Sequence, residues 1–297
     1  MTERNNENRF QVPTPEQPPQ PTAPYPTPEV PNQTPQPDNK MSFSVPTEFV
    51  ELPSGGKYYP QGHPLYGRST IEIKYMTAKE EDILASPSLI KKGIVLDRLM
   101  ESVMLNNVRP DDLLLTDKNA ILIAIRATGY GSDYETKVVC PQCSEVSEHM
   151  YDLADLDYET PDISEYESLY NVHETQRGTF KITLENIDAV VEVKPLTGHD
   201  EKRLTSASKA KKRNNLGQST VTDTMKAYIV SVNDNEERPF INHFVDSMPA
   251  IESRRLRTVY NKVMPNSSVK QLFSCANCGF EQELEVQINT DFFWPNE

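Results

Sequence analysis

Cys140-Pro141-Gln142-Cys143 and Cys275-Ala276-Asn277-Cys278 hold all four cysteines of the chain. Two residues between thiols let one tight turn present both sulfurs to one ion. Two such knuckles meeting in space place four thiolates at the corners of a tetrahedron, the coordination of a structural zinc site. The competing readings are accidental spacing and redox pairs, but a redox CxxC normally opens a helix after a strand. Here Val138-Val139 precedes the first pair, and Ser144-Glu145-Val146-Ser147 follows it with alternating character. Leu272-Phe273 precedes the second, and Gly279-Phe280 leads into Leu284, Val286 and Ile288. Both pairs therefore read as hairpin turns. The spacing predicts a split zinc ribbon with Cys140, Cys143, Cys275 and Cys278 as its ligands. Four protein thiolates leave no open coordination position, so the expected role is structural rather than catalytic.

Working outward, the chain has 297 residues, 24 prolines and a formal net charge of -14. Eleven prolines fall in the first 40 residues, where apolar side chains are few. Such a segment buries too little surface to offset its ordering entropy, so residues 1–42 are expected to form a disordered tail. A proline-rich docking ligand is the alternative, although no basic residue flanks a clear PxxP core. The remainder is expected as two α+β lobes, 43–156 with the first knuckle and 157–297 with the second closing back on it. The longest apolar run, Ala120 to Ile125, is far short of the roughly 20 residues of a membrane helix, and the N-terminus lacks the apolar stretch of a secretory signal. A protein made in a reducing cytoplasm is the expectation.

Local patterns fill in the lobes. Ile71, Ile73 and Tyr75 alternate as a half-buried strand. Thr77-Ala78-Lys79-Glu80 has the spacing of a capping box and starts a helix. A second helix spans Ile94 to Leu105, and a third is expected to be capped by Thr116 or Asp117 and to end at Gly129-Tyr130-Gly131. The acidic stretch Asp152 to Glu174 reads as a linker. Strands follow at Thr179–Leu184 and Ala189–Lys194, the second with Glu192 and Lys194 on a wet face. Helices are expected over Gly198–Arg213, Thr222–Val232 and Pro249–Met264, the last with Ser247 as cap.

Catalytic patterns are sparse. Ser54-Gly55-Gly56-Lys57 lacks the earlier glycine and the following Ser or Thr of a phosphate loop, and a glycine turn accounts for it. The five histidines make no HExxH or triad spacing, and His149 stands only as a weak alternative ligand. The acids around Asp155, Asp157 and Glu159 read as a solvated face. The basic run Lys202, Arg203, Lys209, Lys211, Lys212 and Arg213 admits nucleic acid or an acidic protein as partner. The acidic balance and the lack of interleaved aromatics disfavour nucleic acid.

Several phrases together resemble the baseplate hub family of T-even-type contractile-tailed bacteriophages. They are Phe49-Val50-Glu51-Leu52-Pro53-Ser54-Gly55-Gly56-Lys57-Tyr58-Tyr59-Pro60, Met76-Thr77-Ala78-Lys79-Glu80-Glu81-Asp82-Ile83-Leu84, and Asp117 to Arg126 followed by Gly131-Ser132-Asp133-Tyr134 and the first knuckle. The resemblance covers most of Phe43 to Pro295 and is strongest before Leu156. It implies a non-enzymatic hub subunit or assembly factor that binds other hub and tail proteins, without a small-molecule substrate or a membrane. The implied location is the cytoplasm of the infected bacterium and the virion tail baseplate. The rivals are a zinc-ribbon nucleic-acid-binding or transcription-linked factor and a metal-dependent hydrolase.

Overall fold

Ile71 and Ile73 are fully buried in β2 (Thr70–Lys74), which pairs antiparallel with β1 (Thr47–Glu51). This hairpin lies at the start of an α+β fold seen in a computed structural model that describes residues 44–154, 157–159, 161–215, 219–268, 270–286, 288 and 290–294. The chain divides into Met1–Phe43 and Ser44–Glu297. The proline-rich tail falls outside the described residues, and so does the lobe boundary expected at Leu156. Within Ser44–Glu297 one hydrophobic cluster runs from Val50 to Phe293.

The capping box forms as the sequence predicts. The backbone N–H and Oγ1 of Thr77 donate to Glu80 Oε2 at 3.0 and 2.6 Å, opening α1 (Ala78–Leu84). Helix α2 (Pro87–Lys92) ends on Gly93 in the left-handed region, and α3 (Val95–Val103) buries Leu99, Met100 and Val103. Helix α4 (Leu115–Tyr130) is apolar on most of its circumference, and Ala120, Ile121, Leu122, Ile123 and Ile125 are all buried. A helix of that pattern belongs inside a core. Its N-cap is Leu114, not Thr116 or Asp117, because Asp117 is engaged elsewhere.

After the first cysteine hairpin, β3 (Asp133–Val139) with β4 (Val146–Asp152), the described residues of the acidic stretch are more than a linker. They carry β5 (Asp157–Glu159), α5 (Ile163–Tyr170) and β6 (Val172–Glu174). Asp162 caps α5 by accepting from the Ser164 N–H at 3.0 Å. β6 joins β7 (Phe180–Leu184), β8 (Ala189–Val193) and β9 (Ile229–Val232) in a four-stranded antiparallel sheet of order β6-β7-β8-β9. Glu192 is buried rather than on a wet face, because Thr179 Oγ1 and Ser231 Oγ donate to its carboxylate.

α6 (Gly198–Arg213) forms as predicted, but the expected helix to Val232 stops at Tyr228. α7 (Thr220–Tyr228) hands over to β9 because the β-branched Ile229 and Val232 pair with Val193 and Val191 of β8. Helix α8 (Arg238–Ser247) was not anticipated. Ser247 lies in its last turn, and Pro249 is the N-cap of α9 (Ala250–Val263). β10 (Asn266–Ser268) pairs back to β5, and β11 (Lys270–Ser274) with β12 (Glu281–Glu285) makes the second cysteine hairpin. Phe292 and Phe293 are fully buried, held where Arg126 Nε donates to the Phe292 carbonyl at 3.1 Å.

Candidate metal centre

The two knuckles are built alike. Each cysteine that follows a strand donates its N–H across the turn, Cys140 to the Glu145 carbonyl at 2.8 Å and Cys275 to the Phe280 carbonyl at 2.9 Å. Each also accepts at its carbonyl, from the N–H of Ser144 and of Gly279, both at 2.9 Å. Closing so tight a loop requires a left-handed residue, and Ser144 (φ 61°) and Gly279 (φ 68°) supply it at equivalent positions. Neither pair opens a helix, as a redox CxxC would.

The hairpins bring the four predicted residues together. All four sulfurs lie within 4.8 Å of one another, and both Cys140–Cys278 and Cys143–Cys275 are 3.7 Å apart. These sulfurs are too far apart for disulfides, which need about 2.05 Å. A tetrahedron with metal–sulfur bonds of about 2.3 Å has sulfur–sulfur edges of about 3.8 Å, so the donor set fits a bound metal ion. Cys140 and Cys275 are buried, Cys143 is half-buried and Cys278 is exposed. Asn277 Nδ2 reaches across to Cys143 Sγ at 3.6 Å.

The electrostatics show why a cation belongs there. Hydrogen bonding from the Glu145 amide, helped by Asn277, lowers the Cys143 pKa to about 6. The Phe280 amide acts in the same sense on Cys278, yet partial desolvation and the neighbouring thiols push that group up to about 12. One thiolate forms readily, whereas the later ones meet like charge. A bound cation removes that conflict.

Around the sulfurs the apolar support is thin: buried Phe273 together with half-buried Val138, Phe280 and Leu284. His149 is not one of the grouped donors. Its ring packs edge-on against Phe273 at 5.7 Å and Tyr151 at 4.6 Å, and burial lowers its pKa.

A second polar centre was not foreseen as such. Ser54 donates to Asp117 through its N–H (3.0 Å) and its Oγ (2.6 Å), and Tyr59 OH donates to the same carboxylate at 2.7 Å. Tyr59 OH in turn accepts from the Leu114 N–H at 3.1 Å. Asp117 is fully buried. Gly56 (φ +72°) permits the turn, since a Cβ there would fall 2.4 Å from the Leu65 and Arg68 carbonyls. Lys57 is bound to Glu174 at 2.6 Å, so the polar groups of Ser54 and Lys57 are spent within the fold. The available signal was Asp117 itself, the one acid in a helix whose middle, Ala120 to Ile125, is apolar.

The basic run is partly neutralised. Lys202 pairs with Asp97 and Asp111, Arg203 with Asp200, and Lys211 with Asp223. Among the described residues no helix is long and apolar enough to cross a membrane.

No curated protein and no solved structure matches the chain. One family does, described as T4 bacteriophage base plate protein, over residues 45–294. That span takes in both knuckles, the Asp117 node and the buried Phe292-Phe293 end, so the chain belongs to the T4 bacteriophage base plate protein family.

Proposed function

We propose that the protein is a subunit or assembly factor of the central hub of the phage tail baseplate, working by binding other hub and tail proteins and not by catalysis. Membership of the baseplate family over residues 45–294 is the observation that carries this reading. The motifs that mark the chain agree with it, because Ser54, Tyr59, Glu80 and Arg126 direct their polar groups into the fold. Cys140, Cys143, Cys275 and Cys278 hold one zinc ion as a structural clamp. When bound, the zinc cross-links the two hairpins and leaves no open position for a substrate. The protein acts in the host cytoplasm during assembly and in the tail thereafter, without a small-molecule substrate or a membrane.

Mass spectrometry of purified virions and infection by phage lacking the gene test this reading together. Heads should accumulate with few complete tails, and baseplate parts should stall before hub completion. Normal tails with a defect in late transcription would overturn the proposal in favour of a nucleic-acid-binding ribbon. Charge reversal at Lys209, Lys211 and Lys212 separates the two in vitro, since it abolishes binding if nucleic acid is the partner and weakens a protein contact only locally.

A further inference from the structure

A pocket of about 350 Å³ opens between the end of α2, the start of α3 and the outer face of α6, and four lysines line it. Two of them are already satisfied. Lys118 reaches Asp97 at 3.2 Å and Glu201 at 2.8 Å, and Lys202 pairs with Asp97 and Asp111. Lys92 and Lys209 make no ion pair among the described residues. The Lys209 ammonium lies 3.8 Å from where a Cβ on Gly93 would sit, so it stands over the pocket wall. Four lysines against Asp97, Glu201 and the adjoining Asp111 leave the site one charge positive in a chain of net charge -14, with Lys92 and Lys209 the unpaired cations. This is not the surface average. In the pocket between α6 and α7, Lys211 is cancelled by Asp223, and the pocket beside β8 carries three acids against two bases.

The rest of the lining narrows the ligand. Thr205 and Ser206 offer hydroxyl donors beside the two free ammonium groups, and Ile94 and Leu96 give an apolar wall. Two cations, two hydroxyls and an aliphatic strip suit a carboxylate carried on a short methylene stem. No aromatic ring lines the pocket, so a nucleobase has nothing to stack on. The overall negative charge repels an extended polyanion at long range more than a peptide with a few acids.

We propose that this pocket binds a glutamate or aspartate side chain on an acidic segment of a partner protein, with Lys92 and Lys209 as its counter-ions. The assignment rests on the reading of the protein as a binding component of the baseplate.

The test uses the full chain, ¹⁵N-labelled, with hexaglutamate as probe and hexaglutamine as control. Hexaglutamate should shift the Gly93, Leu96, Thr205 and Ser206 amides saturably, and the control should not. The double variant Lys92→Gln/Lys209→Gln should weaken binding by about tenfold or more, with an unchanged unfolding midpoint because both side chains are exposed. Lys226→Gln, which removes a lysine paired with Asp246 outside the pocket, should leave the affinity as it is. Equal affinity in the double variant, or no saturation, overturns the proposal. So does saturation of the same amides by inorganic phosphate or a deoxyoligonucleotide that hexaglutamate fails to displace. Each of these failures leaves the virion experiment standing, so the two readings fall separately.

Discussion

At the ribbon, Cys143 and Cys275 meet across 132 positions of sequence around four sulfurs. At the Leu52–Pro60 turn, Ser54 meets α4 across 63 positions around one carboxylate. The ribbon has little core of its own, with Cys140, Phe273 and Cys275 as its buried members. The turn rests on the main core, where Leu52, Tyr58, Tyr59 and Leu65 are all buried. A region without apolar mass needs links of near-covalent strength, as small metal-bound modules do. A region already packed needs only hydrogen bonds to fix its orientation. The contrast is therefore one of what remains when each link is cut.

Cutting the ribbon has the largest effect. A four-thiolate zinc site contributes of order 10 kcal/mol of apparent binding free energy at neutral pH, most of it spent on folding the module. The purified protein should contain about one zinc per chain. Cys275→Ser should expose the amides of β3 to hydrogen exchange as much as those of β11. Independent melting of the hairpins, or undiminished zinc binding by one hairpin alone, would count against a shared site. Chelation should reproduce the variant while leaving β6 to β9 protected, because that sheet packs in the main core.

Cutting the Asp117 node should cost less but spread further. Asp117→Ala leaves Ser54 N–H, Ser54 Oγ and Tyr59 OH without their acceptor inside the core, a loss of about 3–5 kcal/mol by chemical denaturation. The variant should unfold in one transition, since turn and helix belong to one cluster. A separate early transition confined to residues 52–60 would show that the turn is an independent unit.

pH sharpens the comparison, because the buried carboxylates are not equivalent. Burial opposes charge on Glu80, but hydrogen bonds from Lys74, Ser102 and Thr77 outweigh it and lower its pKa to about 2. Its stabilisation is thus present above the unfolded pKa near 4.3 and lost as pH falls from about 4 to about 2. For Asp117 burial wins over the neutral donors Ser54 and Tyr59 and raises the pKa. Its contribution is complete below the unfolded value near 3.9 and declines as pH rises through the folded one. Glu80→Gln should cost about 2 kcal/mol at neutral pH, discounted because Lys74 is partly exposed, and should flatten the acid limb. Asp117→Asn should remove a slope of the opposite sign. Difference curves of the same sign would refute the assignment.

Much of this architecture was legible in the residues themselves. Cysteine spacing located both hairpins because a four-thiolate cluster leaves few arrangements, and Thr77 with Glu80 marked a helix start because the box is local. What escaped reading depended on partners distant in sequence. Asp117 looked like a cap until Ser54 claimed it, and Glu192 looked exposed until Thr179 and Ser231 enclosed it. Val232 looked helical until β8 gave its backbone a strand partner. The unpaired Lys92 and Lys209 could not be told from their paired neighbours, since pairing is set by where Asp97 and Asp111 lie.

The smallest predicted effect separates the knuckles from each other. Equivalent positions carry Ser144 at φ 61° and Gly279 at φ 68°. A side chain in the left-handed region crowds its own backbone, a cost of about 1–2 kcal/mol, part of which glycine returns through its freer unfolded chain. Ser144→Gly should therefore stabilise the first knuckle by about 0.5–1 kcal/mol, and Gly279→Ala should weaken the second by a similar amount. A Cβ at position 279 would meet open space, so the second variant measures backbone strain alone. With one metal shared between the hairpins, either change should move zinc affinity by a few-fold and in opposite directions, measured by competition with a chelator. If Ser144→Gly instead weakens zinc binding, its hydroxyl makes a contribution that outweighs the backbone strain, and the two knuckles are alike in geometry but not in energy.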